Sequence, residues 1–174
     1  MAPKGQSTRP TADRARQALF NVLEHAAWAP GLAGARVIDS FAGSGALGLE
    51  ALSRGADFCL FVDNDPAARD AVAANISALG CEARCAVVAR DGRRLGLRTP
   101  DHGEAFSLAF LDPPYGGGIV VPALDALATG GWLRPGAIAV VERGVGEGPL
   151  EVARFEVLDE RQWGAARVTF LAVT

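Results

Sequence analysis

The chain is predicted to fold as an α/β domain with a doubly wound, mostly parallel sheet closed by a C-terminal antiparallel hairpin. Short apolar runs alternate with helical patterns from residue 35 to about residue 142, and such alternation places strands side by side with crossover helices between them. Val37 to Gly48 reads as a strand, a small-residue turn and a helix start, the arrangement of a Rossmann-like unit. After the alternation come two consecutive strand-like runs, 152–158 and 166–173, which suit an antiparallel pair. With 174 residues and 18.0 kDa, one domain spanning residues 1–174 accommodates all of this around one core.

The elements follow in order. Residues 1–11 are expected to be an extended basic arm. Residues 12–28 place Ala15, Ala18, Leu19, Val22, Leu23 and Ala26 on one helical face, with Thr11 as N-cap and Pro30-Gly31 as the stop. The Rossmann-like core, residues 35–174, begins with a strand from Ala35 to Asp39 and a helix from Ala46. A strand from Phe58 to Val62 precedes a helix from Pro66 to Leu79, bounded by Asp65 as N-cap, proline in the first turn and Gly80 as C-cap. Strands at 84–89, 106–111 and 136–142 and a helix near 119–129 continue the alternation. In the closing hairpin, residues 159–164 are expected to form the connection.

Composition limits the classes of function. The chain is 49% hydrophobic and 21% charged, and it contains neither a long uncharged apolar run nor an N-terminal apolar signal region, so no membrane span and a cytoplasmic location are expected. Three cysteines, Cys59, Cys81 and Cys85, with neither His25 nor His102 near them in sequence, predict no metal site. Cys59 lies inside an apolar strand and is expected to be a small buried side chain. The net charge of −3 argues against nonspecific coating of nucleic acid. Basic residues nevertheless cluster at Lys4, Arg9, Arg14 and Arg16, and again at Arg90, Arg93, Arg94 and Arg98, where they could meet phosphates or form solvated faces.

Two motifs carry chemistry. Asp112-Pro113-Pro114-Tyr115 follows the apolar strand 106–111. The two prolines fix the backbone and remove two N–H donors, leaving the Asp112 carboxylate and backbone carbonyls as acceptors beside an aromatic face. Acceptors for an –NH₂ group next to a ring that stacks on a flat heterocycle suit modification of a base nitrogen. Gly43, Gly45 and Gly48 satisfy G-x-G-x-x-G, which alone also fits a nicotinamide-binding oxidoreductase with Asp63 as its ribose acid. Asp39 tilts the choice. A carboxylate ending the first strand would face a pyrophosphate unfavourably, whereas it suits the cationic amino-acid portion of S-adenosylmethionine. The cofactor set is then Asp39, the turn Phe41-Ala42-Gly43-Ser44-Gly45, Asp63 with Asn64 for the ribose, and Asp91 for the adenine amino group.

With Asp-x-Phe-Ala-Gly-Ser-Gly at 39–45 and Asp-Pro-Pro-Tyr at 112–115, the chain resembles class I S-adenosylmethionine-dependent methyltransferases acting on exocyclic amines. Arg9-Pro10-Thr11-Ala12-Asp13-Arg14-Ala15-Arg16 leading to Leu19-Phe20-Asn21, together with Asp39 through Ala56, narrows the resemblance to the RsmD family. That resemblance implies methylation of guanine N2 in bacterial 16S rRNA by direct displacement. The partner would be the rRNA or the assembling small ribosomal subunit, the protein a monomer, and Arg9, Arg14, Arg93 and Arg94 its RNA contacts. Family members usually place a basic β-hairpin before the Arg-Pro-Thr segment. Eight residues precede Arg9 here, so an absent docking hairpin, with contacts moved to residues 90–98, is one expectation. The competing readings are an N6-adenine DNA methyltransferase, a nicotinamide-binding protein and a non-catalytic binding module.

Overall fold

A computed structural model of the chain describes residues 9–114 and 118–174, with side chains from residue 12 onward. The elements run α1 (Arg9–His25), β1 (Arg36–Asp39), α2 (Ala46–Ser53), β2 (Phe58–Val62), α3 (Pro66–Leu79), β3 (Cys85–Val88), β4 (Phe106–Leu111), α4 (Val120–Thr129), β5 (Leu133–Gly144), β6 (Phe155–Trp163) and β7 (Ala166–Val173). Seven strands form one sheet in the order β3-β2-β1-β4-β5-β7-β6. The first five are parallel, and β7 inserts antiparallel between β5 and β6. The strand order reverses between β1 and β4, the switch point at which open α/β sheets bind ligands outside the carboxyl ends of their strands.

Both faces of the sheet are covered. On one, Val37, Phe61, Phe110 and Val140 pack with Leu19, Phe20 and Leu23 of α1 and with residues of α2 and α3. On the other, Ile38, Leu60, Ala109 and Val141 pack with Ala123, Leu124 and Leu127 of α4 and with Trp132. Alternation along each strand sets this division. It puts odd residues of β1 and β2 and even residues of β4 and β5 on the α1–α3 face. The buried β4, uniform in burial over all its residues, is the signature of a central parallel strand covered on both sides.

The boundaries of α3 and its caps match expectation: Asp65 accepts the Ala67 N–H at 3.1 Å, and Gly80 adopts a left-handed conformation at φ 64°. Two other expectations are corrected. The leading helix begins at Arg9 rather than residue 12 and ends at His25 rather than residue 28, so Thr11 lies inside it and is not its cap. Pro10 permits this, because proline in a first helical turn lacks only an N–H that has no intrahelical partner. The hairpin connection is also shorter than expected. Residues 159–163 are paired strand, with Gln162 opposite Arg167 and Trp163 opposite Ala166, and the turn is reduced to Gly164-Ala165, with Gly164 at φ 62°. Polar residues there mimic a loop in sequence but suit an exposed edge strand. The expected arm at residues 1–8 lies outside the described residues.

Candidate active site

The glycine turn joins β1 to α2 under tight steric demands. Gly45 has φ 85°, and a Cβ there would sit 2.5 Å from Val72 Cγ2; at Gly48 it would sit 2.4 Å from Phe61 Cε1 and 2.6 Å from Cys59 Sγ. These two glycines serve helix–strand packing. Gly43 differs: its φ is 55° and none of the described residues lies within 4 Å of its would-be Cβ, so it leaves open backbone at the edge of a cavity. Asn75 of α3 fastens the turn by donating to the Ser44 carbonyl at 2.8 Å. No sequence pattern flagged that residue.

The cavity has a volume of about 630 Å³ and is lined by Phe41, Gly43, Asp63, Asn64, Asp112, Pro113, Pro114 and Glu142, among others. It thus joins the glycine turn, the end of β2 and the Asp-Pro-Pro segment, which lie far apart in sequence. Asp63 binds the turn through the protein itself: its Oδ2 accepts the Gly43 N–H at 3.0 Å and its Oδ1 accepts the Asp65 N–H at 2.9 Å. Each carboxylate oxygen retains capacity for a further donor.

Asp39 lies behind the turn, 1% exposed. Its Oδ2 accepts the Gly48 N–H at 3.2 Å, while its buried Oδ1 has no partner among the described residues. Burial pushes its pKa up to about 7, aided by the charges of Asp112 and Asp63 and opposed by the Gly48 hydrogen bond. An acceptor left unpartnered in a buried position is costly. A cationic donor arriving at the turn would satisfy it, which is how the donor set fits the amino-acid portion of S-adenosylmethionine.

Asp112 follows β4, and the β4–β5 register, Leu111 opposite Val141, sets it beside Glu142 of the neighbouring strand. Asp112 is exposed as a residue. Its carboxyl is nonetheless lifted to about 7, first by desolvation and then by the charge of Glu142 and a hydrogen bond to it. Two acids this close hold a proton between them more readily than either alone. Glu142 follows the part of β5 that pairs parallel to β4, a common place for an acid, and only the register reveals its pairing with Asp112.

The remaining expected residues are placed differently. Asp91 follows β3 outside the cavity lining and is gripped by Arg93, whose Nη2 donates to Oδ2 at 2.7 Å and whose backbone N–H donates to Oδ1 at 2.9 Å. Arg93 holds the Asp91 pKa below the usual range. Arg93 and Arg94 are exposed and line a separate shallow cavity with Pro122 and Asp125. Arg14 is exposed on α1. Phe41 packs so closely on Gly92 that a Cβ there would meet its ring at 2.8 Å. Ala42 is buried and its N–H donates to the Val62 carbonyl at 3.0 Å. The side chain of Arg9 and all of Tyr115 lie outside the described residues.

A family model described as Conserved hypothetical protein 95 matches residues 1–172. The chain belongs to this family. The resemblance to the RsmD family drawn from the motifs is borne out: the Ribosomal RNA small subunit methyltransferase D of Escherichia coli is 36% identical over 146 residues, covering 84% of this chain and 69% of that protein. The Bacillus subtilis protein YlbH is 40% identical over 114 residues, which are 66% of this chain, and the match spans only 59% of that relative's length. Among solved structures, yhhF of Escherichia coli superposes with a TM-score of 0.78 at 29% identity, over 92% of this chain and 85% of the other.

Proposed function

We propose that this family member transfers a methyl group from S-adenosylmethionine to the exocyclic N2 of a guanine in small-subunit ribosomal RNA. The observation that carries this reading is the shared cavity: acceptors of the Asp112-Pro113 segment face the same space as Gly43 and Asp63. The naming of the Escherichia coli relative as an rRNA small subunit methyltransferase supports the choice of substrate class.

S-adenosylmethionine, when bound, supplies an electrophilic methyl on a sulfonium. The chain's residues do the rest. Asp39 Oδ1 receives the ammonium of the amino-acid portion, directly or through water, and Gly43 leaves room for its approach. Asp63 accepts ribose hydroxyls while keeping the turn fastened. Asp112 and the Pro113 carbonyl accept the two amine hydrogens, which favours a pyramidal nitrogen with its lone pair free for the methyl. As the N–C bond forms, the methyl–sulfur bond breaks with its electron pair remaining on sulfur as a neutral thioether, the nitrogen becomes positive, and one N–H proton passes to the carboxylate pair of Asp112 and Glu142. Positioning and acceptor electrostatics provide the rate enhancement, with no covalent enzyme intermediate.

Labelled methyl transfer from S-adenosylmethionine to 16S rRNA or small subunits lacking the modification, followed by mass mapping, tests the proposal. Label on one guanine N2 is the expected result. Label on adenine in DNA would replace it with the DNA reading, and NAD binding without transfer would replace it with the nicotinamide reading.

A further inference from the structure

A second cavity, of about 170 Å³, lies on the opposite side of the Pro113-Pro114 ridge. Its walls are the start of α4, at Gly118–Val121, and the segment Glu147–Leu150; Pro113, Pro114 and Glu142 separate it from the larger cavity. Arg143 also lines it and is 6% exposed. The Arg143 Nη1 donates to the Gly148 carbonyl at 2.8 Å, while Nε and Nη2 are buried and have no partner among the described residues. Those two N–H groups point the same way and form the fork with which arginine holds two oxygens of one carboxylate or phosphate. A buried guanidinium with an empty fork is an uncompensated charge, and such charges are costly unless paired.

The start of α4 adds a second feature of the same sign. Helix α4 has 10 residues and, among the described residues, no side-chain cap at its N-terminus, so the N–H groups of its first turn, apart from Pro122, which has none, present the positive end of the helix dipole. Acids near the cavity are committed elsewhere in part. Glu147 Oε2 accepts the Gly144 N–H at 3.1 Å, and Glu142 is hydrogen-bonded to Asp112.

We infer that Arg143 and the start of α4 form an oxyanion site for a phosphodiester of the substrate strand flanking the target nucleotide. This rests on the RNA-methyltransferase reading. The acceptor edge of a base would also fit an arginine fork, but sheet geometry decides against it. Strand alternation assigns Asp112 and Glu142 to the α1–α3 face, with Asp39 and Asp63, and Arg143, one residue on in β5, to the α4 face, with Glu142 bordering both cavities. A base presenting its amine to Asp112 lies on one side of the ridge, so what reaches Arg143 on the other is the strand leading to it. Both fork nitrogens are covered in this structure, so a phosphate would reach them only if the segment 144–148 opened, breaking contacts such as those from Arg167 to the Val145 and Glu147 carbonyls.

The test uses the full chain with inorganic phosphate, and with 16S rRNA, as probes. Phosphate raises the melting temperature of the wild type and leaves that of Arg143→Gln unchanged. With rRNA, the same variant raises KM by about tenfold or more while kcat at saturating RNA and S-adenosylmethionine affinity hold. An equal phosphate response in both proteins, or an unchanged KM, overturns the inference. If Arg143→Gln does not fold, Arg143→Lys keeps the charge and loses the fork: a raised KM supports the site and an unchanged one overturns it. An Arg143-dependent phosphate response in a protein that transfers no methyl to rRNA would sustain the oxyanion site while overturning its assignment to RNA.

Discussion

Asp112 has to be ionised to accept a hydrogen from the target amine most strongly, and its neighbour Glu142 works against that. With the Asp112 pKa raised to about 7 by desolvation and by Glu142, Asp112 loses its proton only near neutrality, so kcat should rise with pH through about 7. Glu142→Gln removes the opposing charge and should move that rise toward lower pH by about one unit; a pH–rate profile unmoved by the substitution would show that the two acids are not coupled. Asp112→Ala removes an acceptor worth about 1.5 to 3 kcal/mol and should slow single-turnover methyl transfer roughly ten- to a hundredfold. At this scale the sequence revealed residues whose chemistry is local. Asp112 was legible because two prolines follow it, and Gly43 because of its motif. Glu142, Asn75 and Arg143 act through neighbours in other strands and helices, and linear spacing does not encode register.

Elements with strong local punctuation were the most legible. Asp65, Pro66 and Gly80 marked both ends of α3 because each satisfies a backbone group or a φ that other residues serve poorly. Boundaries without such punctuation drifted. Strand β5 extends to Leu133–Gly144 beyond the expected 136–142, since Arg143 and Gly144 pair with β7 and Leu133 with Phe106 of β4 through backbone groups whatever their side chains. The glycine turn gives the element-scale prediction. Gly48→Ala drives a methyl to 2.4 Å from the Phe61 ring, which is fully buried and cannot swing away. The cost should be about 1 to 3 kcal/mol, as for other overpacked sites, read as a lower denaturant midpoint. Gly43→Ala adds a Cβ with none of the described residues within 4 Å but at φ 55°. It should lose about 1 kcal/mol of stability or less from backbone strain and lose cofactor affinity disproportionately. Equal effects of the two substitutions on stability and affinity would contradict the division between packing and ligand glycines.

For the whole molecule, the cofactor site and the fold's stability are linked through Asp39. Its folded pKa of about 7 lies above its unfolded value of 3.8, so between those values the folded chain holds a proton that the unfolded chain releases. Stability is therefore greatest below about pH 4 as far as this group is concerned, and it falls as pH rises toward 7, by about 4 kcal/mol in all. A bound cation beside Oδ1 reverses the preference, because it stabilises the ionised carboxylate that the empty site disfavours. The melting temperature without cofactor should accordingly decline from pH 5 to pH 8, and the stabilisation on adding saturating S-adenosylmethionine should grow across the same range. At a hundredfold excess over Kd that stabilisation is about 2.7 kcal/mol, enough to be read by thermal melting. Asp39→Asn should flatten the pH dependence of the cofactor-free protein, raise its melting temperature at pH 8, and weaken cofactor binding. A variant that retained wild-type affinity while gaining stability would place the ammonium elsewhere; one that lost affinity without gaining stability at pH 8 would mean that Asp39 is ionised at neutral pH without the cofactor.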